Sequence, residues 1–385
     1  MDFSLTDEQE LLIESAREYS ERYFTEENVR EAYKNHHISL EAAIAYRKAG
    51  FTYLGLPEEV GGVPVDKLTQ VLLTEKLHEF TGVSLPFLTE LNTLTDVIRF
   101  GTRKQQELMI DAIENAQTTC IACTAISEPA AGSDNNAMTC VARKQPDGTY
   151  RLNGQKTWVS LGGLSLYTMV VAKDEDPSYS NDHYSLWLIP ANTEGFTFAN
   201  LTKVGQQTCP FVDQFFDDVK LTDDMRLGEE GIGWKLLMKK LEFERCLVVA
   251  HSLGLAQAAL NDAGKYASER IAFGQPIAHL GAIQDHLCEM ENILQNVRMR
   301  LYQVTSMIDE GKSTRLESAL LKGYACPACT RVADLALSIF AAIGYTKEIR
   351  VSRLLADLRG NEIGGGTTEV MNYIAGRQLV KKYKK

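Results

Sequence analysis

The residues that could do chemistry gather in three segments. In Leu241-Glu242-Phe243-Glu244-Arg245, two carboxylates stand beside a guanidinium within a helical pattern. Leu237, Leu241, Val248 and Leu255 mark an apolar stripe at helical spacing. Glu244 falls on that stripe, three residues after Leu241 and four before Val248. Burial strips water from a carboxylate and makes it a better general base. The same spacing also fits a surface acid paired with Lys240 four residues back, and periodicity leaves the two readings open. The second segment, Ile126-Ser127-Glu128-Pro129-Ala130-Ala131-Gly132-Ser133-Asp134, sets small residues and hydroxyls between two strand patterns. Such a loop offers N–H and O–H donors to an anionic or heteroaromatic ligand, and equally suits a plain turn. In the third, Gln155-Lys156-Thr157-Trp158-Val159-Ser160, strand alternation sends Trp158 and Ser160 to one face. That suits a flat ring with a heteroatom at its edge, or ordinary core packing.

Three zones must position these segments. Residues 1–116 read as helical, opening with Thr6 as the N-cap of a helix through Leu11, Leu12, Ala16 and Tyr19. Over 117–228 the period shifts to two. Thr149–Leu152 and Lys156–Val159 flank Asn153-Gly154-Gln155, the signature of a hairpin turn, and further strands are expected at Leu166–Ala172, Tyr184–Ile189 and Gln214–Val219. From 229 to 385 long helical patterns return, at about 234–271, 280–310, 314–343 and from Thr368 on. Helices, strands and helices in series predict an α+β chain: an N-terminal all-α domain, a central β-barrel-like domain and a C-terminal four-helix bundle.

Composition narrows the functions. The 385 residues carry a formal charge of −11, with no basic run beyond the Lys381-Lys382-Tyr383-Lys384-Lys385 end, so nucleic acid is not an expected partner. No run of about 18 apolar residues is read, so no membrane span is expected. The acidic first residues are unlike a signal or transit peptide, which predicts a cytoplasmic or already processed chain. Two pairs, Cys120/Cys123 and Cys326/Cys329, have C-x-x-C spacing. Residues three apart on a strand point to opposite sides, so reduced, buried thiols are expected, and no metal. Gly311-Lys312-Ser313-Thr314 fails as a phosphate loop because Ser306 holds the required upstream glycine position.

The ordered set of motifs resembles the acyl-CoA dehydrogenase family nearly end to end. It runs from Leu5-Thr6-Asp7-Glu8-Gln9-Glu10 and Gly55–Gly62 through Ser127-Glu128-Pro129 and Gly132-Ser133-Asp134. It continues with Leu152–Trp158 and Phe216-Asp217-Asp218-Val219, and closes with Tyr266–Arg270 before Phe273-Gly274. The resemblance implies FAD, an acyl-CoA or enoyl-CoA substrate, electron-transfer flavoprotein as redox partner and a homotetramer. It implies that Ile126 and Ser127 meet the flavin pyrimidine edge, and that Trp158 lies on the isoalloxazine with Ser160 near its N5. Gly132 and Ser133 belong to the same loop, and Ser133, Glu242 and Arg245 match positions that touch the CoA chain or order its pocket. Arg270 and Phe273 match residues reaching the FAD of a neighbouring subunit.

Departures from the pattern shift the chemistry. Most members carry the catalytic base in Tyr-Glu-Gly-Thr; the matching residues here are Gly364-Gly365-Gly366-Thr367. A minority, similar to isovaleryl-CoA dehydrogenase, place the base on the bundle helix just before the Arg, which is Glu244 here. The missing and the added carboxylate explain each other. The resemblance thus implies α-proton transfer to Glu244, β-hydride transfer to flavin N5 and the thioester oxygen bound by the Gly365 N–H. Thr367 and Glu369 follow in the same FAD-binding stretch. A family Gln-x-Phe-Gly-Gly segment is Ser338-Ile339-Phe340-Ala341-Ala342 here, and a further Gln is Gly281, which puts Ser338 and Ala342 in an altered FAD contact. The glycine stretch, the Met1-Asp2-Phe3 opening and the lysine-rich end also resemble the crotonobetainyl-CoA reductases. A scaffold subunit without turnover and an oxidase are the alternative functions.

Overall fold

A computed structural model describes residues 4–175 and 183–384, without the side chains of Lys239 and Lys240. Met1-Asp2-Phe3, Lys385 and any Glu244–Lys240 pair therefore lie outside the described residues. Six helices come first: α1 Asp7–Tyr23, α2 Glu26–Asn35, α3 Leu40–Lys48, α4 Lys67–Thr81, α5 Phe87–Phe100 and α6 Arg103–Asn115. Thr6 caps α1 as its position predicts, in a reciprocal capping box with Gln9.

The strands are β1 Cys120–Ala125, β2 Val141–Lys144, β3 Tyr150–Ser160, β4 Ser165–Glu175, β5 Tyr184–Pro190, β6 Phe196–Leu201, β7 Phe211–Leu221 and β8 Arg226–Leu227. They form one eight-stranded sheet in the order β6-β7-β3-β2-β4-β5-β8, with β1 parallel to β4. The hairpin expected at Asn153-Gly154-Gln155 is absent: β3 runs straight through it, and its ladder with β7 slips between Leu152 and Gly154. A β-carbon at Gly154 would stand 2.6 Å from the Cys140 Cα. The glycine therefore serves close backbone approach at a bulge, not a turn. Cys120 and Cys123 line the same core while Ile121 and Ala122 both face another, so the opposite facing expected from strand alternation fails in β1; the thiols meet Ser165 and Thr168, and every cysteine is free.

Helix α7, Gly233–Glu269, follows, then the two-residue strands β9 Ile271–Ala272 and β10 Gln275–Pro276. Helices α8 Gly281–Asp309, α9 Arg315–Phe340, α10 Val351–Ile363 and α11 Thr368–Tyr383 complete the chain. The four long helices match the reading; α10 is an addition to it. One 18-residue window in Arg315–Tyr345 has a mean hydropathy of 1.5, so α9 is long and apolar enough to cross a membrane, contrary to the expectation that no such run exists. Its surroundings explain the composition: α9 packs against α7, α8, α10 and α11 at once, and Ala325, Cys329, Val332 and Ala336 are fully buried. Leu236 and Leu237, at the start of α7, share a core with Leu94 and Val97 of α5 and with Ile121 and Ile126. All three zones thus meet beside the loop that begins at Ile126.

Candidate active site

On the β side, a buried ion pair fixes the loop after β1. Lys156 Nζ lies 2.8 Å from Glu128 Oε1, both side chains at most 2% exposed, and donates to the Ile126 carbonyl at 2.8 Å. Glu128 also accepts from the Thr139 and Cys140 amides. Burial opposes ionisation of Glu128, but Lys156 and these donors prevail and hold its carboxyl below the ordinary range. The Thr157 N–H donates to the Ser127 carbonyl at 2.9 Å, so the loop lies along β3 beside Trp158.

Trp158 is 58% exposed, with its backbone in the left-handed region at φ +58°. The ladder to β7 skips from Lys156 to Val159 there. Strict alternation is lost at the irregularity: Lys156 and Thr157 are both buried, Trp158 is exposed, Val159 is buried and Ser160 is half-buried. Among the described residues, the Ser127 and Ser160 hydroxyls have no protein partner. A large exposed indole on strained backbone, flanked by two free hydroxyls, fits a flat heteroaromatic ring such as the implied flavin. Gly132 and Ser133 lie exposed further along the same loop.

Helix α7, whose first turns share the Ile126 core through Leu236 and Leu237, supplies Glu242, Glu244 and Arg245. Glu242 accepts from the Thr314 amide and hydroxyl at 2.8 and 2.9 Å, so it secures the corner entering α9. Arg245 is buried, donates from Nη1 to Ser318, and leaves its Nε buried without a protein acceptor. Burial pulls the Arg245 pKa down, opposed by the charges of Glu242 and Glu244. Glu244 is half-buried. One turn on along the same face is Val248, whose Cγ2 would lie 3.7 Å from a β-carbon at residue 365. Gly365 itself is exposed at φ +67°, and its amide donates to no backbone acceptor. Beyond the turn, Thr367 caps α11 by accepting from the Val370 amide, and Glu369 stands exposed in the first helical turn.

Four candidate residues lie away from this group, among them Arg270 and Phe273, which were expected at the FAD of a neighbouring subunit. Arg270 and Phe273 lie at the far end of α7, 26 residues beyond Glu244, which is about 39 Å along a helix. Phe273 is 89% exposed at φ +54°. Ser338 and Ala342 stand exposed at the matching end of α9, and the Tyr266 and Phe340 rings, 4.5 Å apart, bind the two ends together. The candidate residues of one chain therefore form two separate groups.

Three residues escaped the sequence reading: Lys156, Lys322 and Asn361. A lysine on the inward phase of a strand and another inside the apolar run of α9 were the available signals. Lys322 Nζ donates to the Asn361 and Gly366 carbonyls at 3.0 and 2.7 Å, behind the glycine turn. Among the described residues no His/Cys/Asp/Glu group could hold a metal ion.

Comparison with known proteins gives a consistent result. Models described as the N-terminal, middle and C-terminal domains of acyl-CoA dehydrogenase match residues 6–114, 123–219 and 231–380. The chain is 36% identical over 383 residues to the probable acyl-CoA dehydrogenase YdiO of Escherichia coli K12, covering 100% of this chain and 99% of that protein. It is 30% identical to the caffeyl-CoA reductase-Etf complex subunit CarC of Acetobacterium woodii, covering 98% and 99%. Among solved structures, butyryl-CoA dehydrogenase from Megasphaera elsdenii superposes with a TM-score of 0.91 at 30% identity, covering 99% of this chain and 100% of that one.

Proposed function

The chain belongs to the acyl-CoA dehydrogenase family, and from that premise we propose that it moves a hydrogen pair across the α,β bond of an acyl-CoA thioester with Glu244 as the base. Membership makes it an FAD-dependent oxidoreductase of CH–CH bonds. The observation that carries the assignment of the base is the contact between Val248, one turn past Glu244, and the side-chain position that Gly365 leaves empty. In this reading Glu244, whose charge is felt by Lys322 behind the turn, acts from α7 in place of a carboxylate at 365.

In the oxidative direction, Glu244 takes the α-proton, the β-hydrogen leaves with its electron pair, and the α,β double bond forms. FAD, when bound, supplies the acceptor or donor for that hydride. Gly365 N–H binds the thioester oxygen as negative charge grows on it. Trp158 and Ser160 orient the ring, with Ile126 and Ser127 at its edge. Arg245 turns its unpaired Nε toward an acceptor on the CoA chain, and Glu242 keeps the α9 corner in place around it. Protonated Glu244 returns the proton to Cα when an enoyl-CoA is reduced. A dry, prealigned cleft between sheet and bundle serves both directions.

The roughly 39 Å between the cleft and the Arg270/Phe273 end supports a homotetramer in which one copy completes the cofactor site of another. Electron-transfer flavoprotein is the proposed redox partner, supported by the Etf complex to which the Acetobacterium relative belongs. Free cysteines suit the cytoplasm.

The test is Glu244→Gln in the flavin-loaded protein, titrated anaerobically with a panel of acyl-CoA thioesters. Flavin should stay bound, while bleaching by any active thioester should slow at least a thousandfold. Bleaching at the parent rate would remove Glu244 from the mechanism. Colourless parent protein would favour the scaffold reading, and stoichiometric peroxide during turnover would favour the oxidase.

A further inference from the structure

Lys322 lies in the most apolar helix of the bundle and is 1% exposed. A lysine there is costly unless its protons are bonded and its charge is balanced. Its ammonium donates to the carbonyls of Asn361, in the last turn of α10, and Gly366, just before α11. Those two carbonyls bracket Gly364-Gly365. The helix end at Asn361 carries partial negative charge that favours a cation. Lys322 Cε lies 3.6 Å from where a β-carbon of residue 365 would stand, directly behind the turn. The ionisable groups facing the ammonium are Glu244 and Arg245 from α7, Cys326 from α9 and Glu362 from α10. Burial draws the Lys322 pKa down, and Arg245 adds to that; Cys326, Glu244 and Glu362 oppose it.

Three successive glycines give the turn little stiffness of its own, with Gly365 at φ +67° and Gly366 at φ +96°. An oxyanion donor works only if its direction is fixed before the charge develops.

We propose that Lys322 is a positioning residue for the reaction: it clamps the glycine turn so that the Gly365 N–H faces the thioester oxygen, and its charge favours the anion formed there. The inference rests on the proposed role of Gly365. A lysine that merely stapled α9 to α10 would affect stability without changing the pH response of the chemistry.

Two variants of the full-length, FAD-loaded protein test this. Lys322→Met removes both donors and charge; Lys322→Gln keeps a donor and loses the charge. In Lys322→Met, amides at 364–366 should exchange with deuterium at least tenfold faster. A non-oxidisable 3-thia-acyl-CoA should bind at least tenfold more weakly. The rate of thioester-driven bleaching at saturation should fall roughly a hundredfold or more, as when an oxyanion donor is lost. The low-pH limb of the rate profile should move to higher pH, because the site loses a positive charge that favours anions. In Lys322→Gln, exchange should stay within about threefold of the parent while the rate loss and the displaced limb remain. Parent-like exchange and rate in Lys322→Met would overturn the proposal. So would a Gln variant with full rate and an unmoved pH profile. If the Met variant fails to fold, the Gln variant decides through rate and pH profile alone. Exchange and analogue binding do not require a base, so they separate this proposal from the Glu244 assignment.

Discussion

At the residue scale, the proposed mechanism exchanges a carboxylate between two elements. Room for a side chain exists at Gly365, since a β-carbon would meet only Lys322 Cε at 3.6 Å and Val248 Cγ2 at 3.7 Å. The backbone opposes one: at φ +67° any residue with a β-carbon pays about 1–2 kcal/mol. Returning the acid to 365 should therefore succeed only in part. Glu244→Gln/Gly365→Glu should recover bleaching to between 1% and 10% of the parent rate, measured by stopped flow. Recovery to the full rate would show that the turn relaxes without cost, and no recovery would show that the two positions do not address one space. Trp158 and Phe273 share this strained backbone region at φ +58° and +54°. Bulky residues persist there when the surroundings hold them, often for function.

At the element scale, the end of α9 offers a comparison of magnitudes. Ala341 caps the helix at φ +56°, ψ −134°, a region that suits glycine. Strain there costs about 1–3 kcal/mol, whereas glycine's added unfolded-state freedom costs about 0.4–1 kcal/mol, so strain dominates. Ala341→Gly should stabilise the protein by about 1 kcal/mol, read from the urea midpoint at unchanged slope. A lower midpoint would mean that the methyl packs favourably enough to offset its backbone. Elements of this size were mostly legible in the sequence, because caps and periodicity are local: Thr6 and the four long bundle helices needed no distant partner. The glycine at 154 misled because its cause is the Cys140 backbone across the sheet. Likewise Lys322 was illegible as part of the site, since the carbonyls it holds lie 39 and 44 residues onward. Glu244 became a candidate only when set against the missing acid at 365, and the apolar stripe alone left it undecided.

At the scale of the whole molecule, one buried polar chain joins the N-terminal helices to the glycine turn, and acid should break it. The His78 and His251 rings of α4 and α7 lie 4.1 Å apart. His78 Nδ1 bonds the Thr74 carbonyl and Nε2 accepts from the Leu85 amide, an arrangement that requires a neutral ring. His251 bonds Ser84 and meets Asn361, whose carbonyl receives Lys322. Burial lowers the His78 pKa to about 4, and burial with the neighbouring His78 and Lys203 holds His251 well below its ordinary value. Both groups bind protons more readily unfolded than folded. Their contribution to stability is thus complete above about pH 6.5 and declines as pH falls toward the folded values. For His78 alone the loss by pH 5 is about 2 kcal/mol. Glu90 and Asp357, whose carboxyls burial holds above the ordinary range, act in the opposite sense, because as pH falls the folded state takes up their protons first. Comparing the parent with a histidine variant over pH 7 to 5 therefore isolates the histidines from these carboxyls. The melting temperature of the parent should fall across that interval, and His251→Gln should flatten the fall even if the variant is less stable at pH 7. Because Asn361 is shared, the protection of the amides at 364–366, taken against their intrinsic exchange rate at each pH, should fall over the same interval in the parent. Acid melting that leaves the exchange of that turn unchanged until global unfolding would show that the two ends of the chain are not coupled.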